Sequence, residues 1–268
     1  MTRRRLFDNA FSPFARKVRM VLEYKGLAFE AVDGLHHDAC QSLETVNPRR
    51  EVPVLIEGET VVVNSAHIVA YLEDAYPIPA VLPGDAAARA RIREWERLAD
   101  TLLDPIVVDV SLWSWANRQD SPPAGLREAA MRDLDEIYAR LEDQLAHGHQ
   151  FLCDQFSLAD IALFPNLYAT RALGLHADRE RFPATVAWLR RLAALPLFTA
   201  DLDRLRAWLK SLAGSAGFER DRIFWRGDRV EWLLANGFHR WFLEEIEQGR
   251  VLWPGTGGGV RPERPGSP

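Results

Sequence analysis

Between Tyr76 and Gly84 the chain reads Tyr-Pro-Ile-Pro-Ala-Val-Leu-Pro-Gly, and three prolines followed by a glycine continue neither a helix nor a central strand. The break divides two kinds of pattern. Before it, short alternating runs and helical stretches take turns; after it, helical periodicity dominates. With 268 residues the chain has room for two packed units and needs no disulfide staples. The boundaries expected are 1–77 for an α/β unit, 78–85 for a linker, 86–213 for an all-helical unit, and 214–268 for an addition.

The first unit reads as a strand at 4–8 around Leu6 and Phe7, a turn at 9–11, and a helix opened by Ser12 and Pro13. Phe14, Val18, Val21 and Leu22 have amphipathic helical spacing, and Gly26 ends the run. A strand at 28–33 follows, then an irregular stretch from Leu35 to Glu51. Residues 53–57 and 60–63 form a hairpin about Gly58-Glu59. Asn64 or Ser65 caps a helix carrying Ile68, Val69 and Leu72, which Tyr76-Pro77 ends.

Past the junction, helices are expected at 86–118, 122–146, 182–194 and 199–213. Ser157 and Asp160 in Phe-Ser-Leu-Ala-Asp form a capping box with Asp in the usual Glu position. In the addition, Val230, Leu233, Leu234, Phe238, Trp241, Phe242 and Ile246 share one face of a single helix at 228–248, with Gly237 as its weak point. Trp225, Trp232, Trp241 and Trp253 make that segment one that docks, on its own chain or on another subunit. Residues 254–268, rich in glycine and proline, are expected to be disordered, and Gly255–Gly259 has no following helix to make it a phosphate loop.

Composition narrows the function classes. A net charge of −5 provides no basic footprint for nucleic acid, and no run approaches the roughly 18 apolar residues that span a bilayer. The Met-Thr-Arg-Arg-Arg start leads into a strand rather than an apolar signal core, so a cytoplasmic protein is expected. Cys40 and Cys153 form no CxxC pair. The run His36-His-Asp-Ala-Cys40 has ligand-type side chains but no spaced partners, so no metal is expected.

Three motifs carry chemistry: Asn-Ala-Phe-Ser-Pro-Phe-Ala-Arg-Lys-Val at 9–18, Asn-Pro-Arg-Arg-Glu-Val-Pro-Val-Leu at 47–55, and Val-Asn-Ser-Ala-His-Ile at 63–68. In this order, ahead of a helical half, they resemble the glutathione S-transferase family over residues 4–205. The resemblance implies a thioredoxin-like N-terminal domain plus an all-α C-terminal domain, with glutathione as co-substrate on the first. It implies that Ser12 is catalytic: a hydroxyl at a helix start, where free amides and the dipole favour an anion, holds the thiol as thiolate. Lowering a thiol pKa from about 8.5 by about two units, roughly 2.7 kcal/mol, makes thiolate the main species at neutral pH. The same serine also suits an ordinary helix cap.

The resemblance places a cis proline at Val52-Pro53, whose preceding backbone pairs with the tripeptide's cysteinyl amide, and a γ-glutamyl carboxylate on Ser65. Phe14, beside Ser12, is counted with the glutathione-binding residues. Asn64 stands where the family commonly has Glu or Gln, so it offers the ligand's ammonium less. Arg50, where relatives often have glycine or histidine, is either a partner for the glycyl carboxylate or a solvated turn; His36 and His37 are candidates for the same carboxylate. His67 is expected on the surface or in packing, and both cysteines read as incidental. The resemblance further implies a homodimer and a small-molecule electrophile lying against the long helix of Trp95, Leu98, Leu102, Trp113 and Trp115, with Asp100 or Asp104 reaching across the dimer. An enzyme attacking an apolar or aromatic electrophile is expected. The alternatives are glutathione-dependent ether cleavage or isomerisation, and a non-catalytic binding module.

Overall fold

The computed structural model describes residues 3–35, 37–115, 118, 120–146, 148–212 and 223–252. The α/β half runs β1 (Arg4–Asp8), α1 (Pro13–Tyr24), β2 (Glu30–Asp33), α2 (His37–Val46), β3 (Val54–Glu57), β4 (Thr60–Val63) and α3 (Ser65–Ala75). Its sheet has the order β2-β1-β3-β4, with β1 parallel to β2 and the other pairs antiparallel. The helical half holds α4 (Ala86–Leu98), a π-helical turn (Ala99–Leu103), α5 (Asp104–Trp115), α6 (Leu126–Leu145), α7 (Leu158–Ala169), α8 (Pro183–Ala194) and α9 (Pro196–Leu212). Beyond it lie β5 (Ile223–Phe224), α10 (Gly227–Ala235), α11 (His239–Glu247) and β6 (Val251–Leu252). No helix among the described residues is long and apolar enough to cross a membrane.

One apolar cluster runs from Leu6 and Leu55 in the sheet through α1 and α3 into the helical half. The Ser157 cap forms as expected. Its hydroxyl accepts from Ala159 N at 3.3 Å, and Asp160 Oδ2 accepts from Ser157 N at 3.0 Å. Asp160 does more than cap: its Oδ1 also accepts from Leu152 N and from Trp188 Nε1, so the buried carboxylate ties the loop before α7 to α8. Burial pushes its pKa up to about 6 against four lowering hydrogen bonds.

Several expectations need correction. The stretch 35–51 is not wholly irregular, because α2 forms there and seats Leu43 on Phe7 and Val54. The long helix expected at 86–118 widens into the π turn at 99–103. Pro105, just past the turn, has no N–H to donate to the Thr101 carbonyl, which accounts for the loss of regular α pairing. The single helix expected at 228–248 is two. Gly237 has φ +84, a left-handed conformation that ends α10 and turns the chain into α11.

The polar face of α1 departs furthest from a sequence reading. Arg16, Lys17 and Arg19 are all buried, since this helix lies between the sheet and α7, α3 and α9. Each cation is paired: Arg16 with Asp201, Lys17 with Glu96 and Asp100, and Arg19 with Asp8 and Asp201. Glu96, Asp100 and Asp201 belong to the helical half, so these pairs fix the orientation of α1 and of its N-terminus.

Candidate active site

Strand register brings the three motifs to one end of the sheet. Phe7 pairs with Val54, and Val54 pairs with Val63, so the turn after β1, Pro53 and Asn64 emerge side by side. Two helices, α1 and α3, start from that end with their free amides.

The turn into α1 is built by Asn9. Its Oδ1 accepts from Phe11 N at 3.0 Å and Ser12 N at 3.2 Å, and its Nδ2 donates to Asp33 Oδ1 at 3.0 Å. Ser12, half-buried, then caps α1: its Oγ accepts from Ala15 N at 3.3 Å. That bond uses a lone pair and leaves the hydroxyl hydrogen to donate elsewhere. The helix-capping reading of Ser12 is therefore correct, and it is compatible with a second role. Phe11 stacks on Trp208 of α9, with centroids 5.8 Å apart, and Trp208 Nε1 donates to Asp33 Oδ2 at 3.3 Å.

The Val52-Pro53 peptide is cis. Val52 makes no backbone hydrogen bond among the described residues, so its N–H and C=O are available to an extended ligand strand. Gly34 is required opposite it, since a Cβ there would sit 2.8 Å from Val52 Cγ1. Arg50 has φ 54, a left-handed conformation that favours glycine, and its guanidinium lies 2.6 Å from Glu44 of α2. Asn64, with φ 77, caps α3 by accepting from Ala66 N at 3.0 Å. Ser65 is buried at the first position of α3 and His67 is exposed, as expected. The side chain of His37, and His36 altogether, lie outside the described residues.

Comparison with known proteins agrees with this geometry. Residues 6–80 match the glutathione S-transferase N-terminal domain model and residues 83–191 the C-terminal one. The chain belongs to the glutathione S-transferase family. A GST-like protein of Escherichia coli, YibF, is 35% identical over 163 residues, 59% of this chain and 78% of its own. A glutathione S-transferase from Methylobacterium radiotolerans, solved in complex with glutathione sulfonate, is similar at 28% identity and TM-score 0.61, covering 75% of this chain and 94% of that one. The beta-etherase LigF from Sphingobium is similar at 26% identity and TM-score 0.64, covering 75% and 99%. The thioredoxin-like plus all-α architecture of the family is thus the fold of this chain. The extension lies past residue 191, where the C-terminal match stops.

Two further expectations change. Asp104 cannot reach across a dimer: it is fully buried, and Arg226 and Arg229 of the extension bind its Oδ2 at 2.8 and 3.2 Å. Asp100 is held at 2.6 Å by Lys17 within its own chain, with its pKa pushed up to about 6 by burial. Of the aromatic stripe meant to line the electrophile site, Trp95 and Leu98 are core, while Trp113 packs on Trp241. The Trp115 side chain, Trp253 and the tail at 254–268 lie outside the described residues. Cys153 is half-buried, and burial pushes its thiol up to about 11, which makes it a poor nucleophile. The residues that sequence reasoning missed are Asn9, Trp208 and Arg226. Only Asn9, an Asx residue directly after a strand, left a local signal.

Proposed function

We propose that this chain is a glutathione transferase in which Ser12 stabilises the glutathione thiolate for attack on an apolar or aromatic electrophile. The observation that carries the proposal is the Ser12 hydroxyl: fixed at the start of α1 by Asn9 and Ala15, it keeps its hydrogen uncommitted, at the sheet end where Val52 offers free backbone groups and α3 opens with Ser65. The residues fit a γ-glutamyl tripeptide. Free amides at α3, with the Ser65 hydroxyl, suit a carboxylate. The Val52 backbone suits an amide, and the α1 start suits a sulfur anion.

When bound, glutathione supplies a sulfur nucleophile whose electron pair forms the new bond to carbon while the leaving group departs with the old one; the thiol proton goes to solvent. Ser12 donates its hydroxyl hydrogen to that sulfur and lowers its basicity. Asn64 spends its side-chain oxygen on the α3 cap, so recognition of the ligand's ammonium is weaker than a Glu would provide. Arg50 reaches a glycyl carboxylate only by leaving Glu44; both side chains are more than a third exposed, so the exchange costs at most about 1 kcal/mol. Exposed Val61 and Val63 on edge strand β4 support a homodimer, which light scattering checks.

Calorimetry with glutathione, followed by thiolate ultraviolet absorbance of the bound ligand, tests the proposal. Binding is expected, with Ser12→Ala raising the bound thiol's pKa and lowering turnover at least about tenfold. No heat at about 1 mM ligand refutes glutathione chemistry and leaves a binding module. Similarity to LigF favours a second reading, ether cleavage: the same thiolate displaces an aryloxide, which takes a proton from solvent. Release of phenol from an aryl ether, absent with haloarenes, selects it.

A further inference from the structure

The extension packs against the first turn of α1 from within its own chain. Arg118, three residues past α5, forks onto Glu245 of α11, Nη1 to Oε2 at 2.6 Å and Nη2 to Oε1 at 2.8 Å, and its guanidinium lies over Trp113 and Trp241. Trp225, Trp232 and Phe242 are buried in the main core. So anchored, α10 packs on α5 and on the π turn. Arg226, just before α10, then stands over the Phe14 ring at 4.4 Å from its centroid, two residues from Ser12. The contact joins a segment outside both family matches to the first turn of the helix that carries the candidate nucleophile's partner.

The guanidinium is held from one side only. Nη2 donates to Asp104 Oδ2 at 2.8 Å and to Asp228 Oδ2 at 3.1 Å. Nε has no partner, and Nη1 makes no hydrogen bond among the described residues, although about a quarter of the side chain is exposed. Charge around it balances: Arg226 and Arg229 stand against Asp104 and Asp228, and Asp109, fully buried with both carboxyl oxygens unpartnered, is biased by burial toward its neutral acid. With no net positive charge, the site has little to gain from a full anion. With Nε buried, Nη1 is the unspent donor left within reach, beside an aromatic ring, and it suits a polarised neutral acceptor.

We infer that α10 is a built-in wall of the electrophile site and that Arg226 determines its specificity, favouring aromatic electrophiles that carry a nitro or carbonyl acceptor next to the reacting carbon. The inference rests on the proposed glutathione chemistry. The ring of such a substrate packs along the edge of Phe14, and its acceptor takes an N–H from Arg226. The acceptor is also the group that withdraws electrons from the carbon under attack, so the hydrogen bond strengthens as negative charge builds there.

Binding of three ligands, glutathione, S-hexylglutathione and S-(dinitrophenyl)glutathione, to the full chain tests this by calorimetry. Arg226→Ala is expected to weaken the dinitrophenyl conjugate about tenfold while changing the other two less than about twofold. Asp104 keeps Arg229, which favours a folded variant. Should Arg226→Ala not fold, Arg226→Lys decides, since it retains the cation but loses the planar fork; a selective loss of at least about threefold is expected. Equal changes for all three ligands, or none, overturn the inference alone. Failure of the unaltered protein to bind glutathione overturns the proposed function and the inference with it.

Discussion

Asp201→Asn tests whether the buried charges on α1 are what holds that helix in place. Asp201 is wholly buried. Its Oδ1 accepts from Arg19 Nη2 at 2.9 Å, and its Oδ2 accepts from Arg16 Nε at 3.0 Å and Nη2 at 2.6 Å. Arg16, Arg19, Asp8 and Asp201 together sum to zero charge; the substitution leaves one buried positive charge uncompensated and turns an amide N–H₂ toward guanidinium donors. Breaking a buried pair of this kind costs about 3–5 kcal/mol. For a chain of this size the corresponding fall in Tm is roughly 10 °C. Urea titration read by tryptophan fluorescence provides the free energy, with Glu23→Gln as the control, because its pair with Arg204 is partly exposed and worth less than about 1 kcal/mol. Since Ser12 lies one turn from Arg16, a folded Asp201→Asn should also bind glutathione more weakly. A loss no larger than the control's would refute the claim that these pairs orient α1.

Asp160, whose pKa is raised from 3.8 to about 6, holds its proton more tightly folded than unfolded, so its contribution is full below about pH 4 and lost as pH rises through 6. Relative to Asp160→Asn, wild-type stability should therefore fall by up to about 3 kcal/mol from pH 4 to pH 7; a constant difference across denaturant titrations would contradict it. Gly237→Ala should cost about 1 kcal/mol, because φ +84 disfavours a Cβ although nothing lies within 4 Å of it; an unchanged midpoint would count against the two-helix break. In a Cys40→Ser background, Cys153 should react with a thiol reagent at pH 8 roughly two orders of magnitude more slowly than a free cysteine, as a thiol pushed up to about 11 requires. Fast labelling would contradict that burial.

Local chemistry made part of this molecule readable. Ser12-Pro13 and Gly26 bracket α1, Gly58 sits in the hairpin, and Ser157 with Asp160 caps α7, because each depends on neighbours within a few residues. The candidate site was legible for the same reason: its motifs sit at strand ends and helix starts, where residue type is dictated by backbone geometry. What stayed hidden depends on distant partners. The burial of Arg16, Lys17 and Arg19 needs carboxylates about 80 to 185 residues away, and charged residues on a helix read as solvent-facing until those partners are known. Helix α2 spans only ten residues, and its apolar positions Ala39, Leu43 and Val46, though at helical spacing, stand among polar residues that read as a loop; Leu43 supplies its buried anchorage. The widening before Pro105 had a visible cause that amphipathic spacing alone passes over. Arg226 over Phe14 joins the two ends of the chain, and nothing near either residue announces it.

The route by which the extension docks has a consequence for how the chain matures. Trp225, Trp232 and Phe242 complete a core whose other members are made much earlier, and Arg118 waits for Glu245. During synthesis the helical half therefore emerges with an unfilled apolar flank, and Asp104 with no countercharge, until residues 225–245 clear the ribosome. A copy cut short after α9 would carry that wet, sticky flank permanently, which makes translation through Glu245 a checkpoint on whether the molecule stays in solution at all.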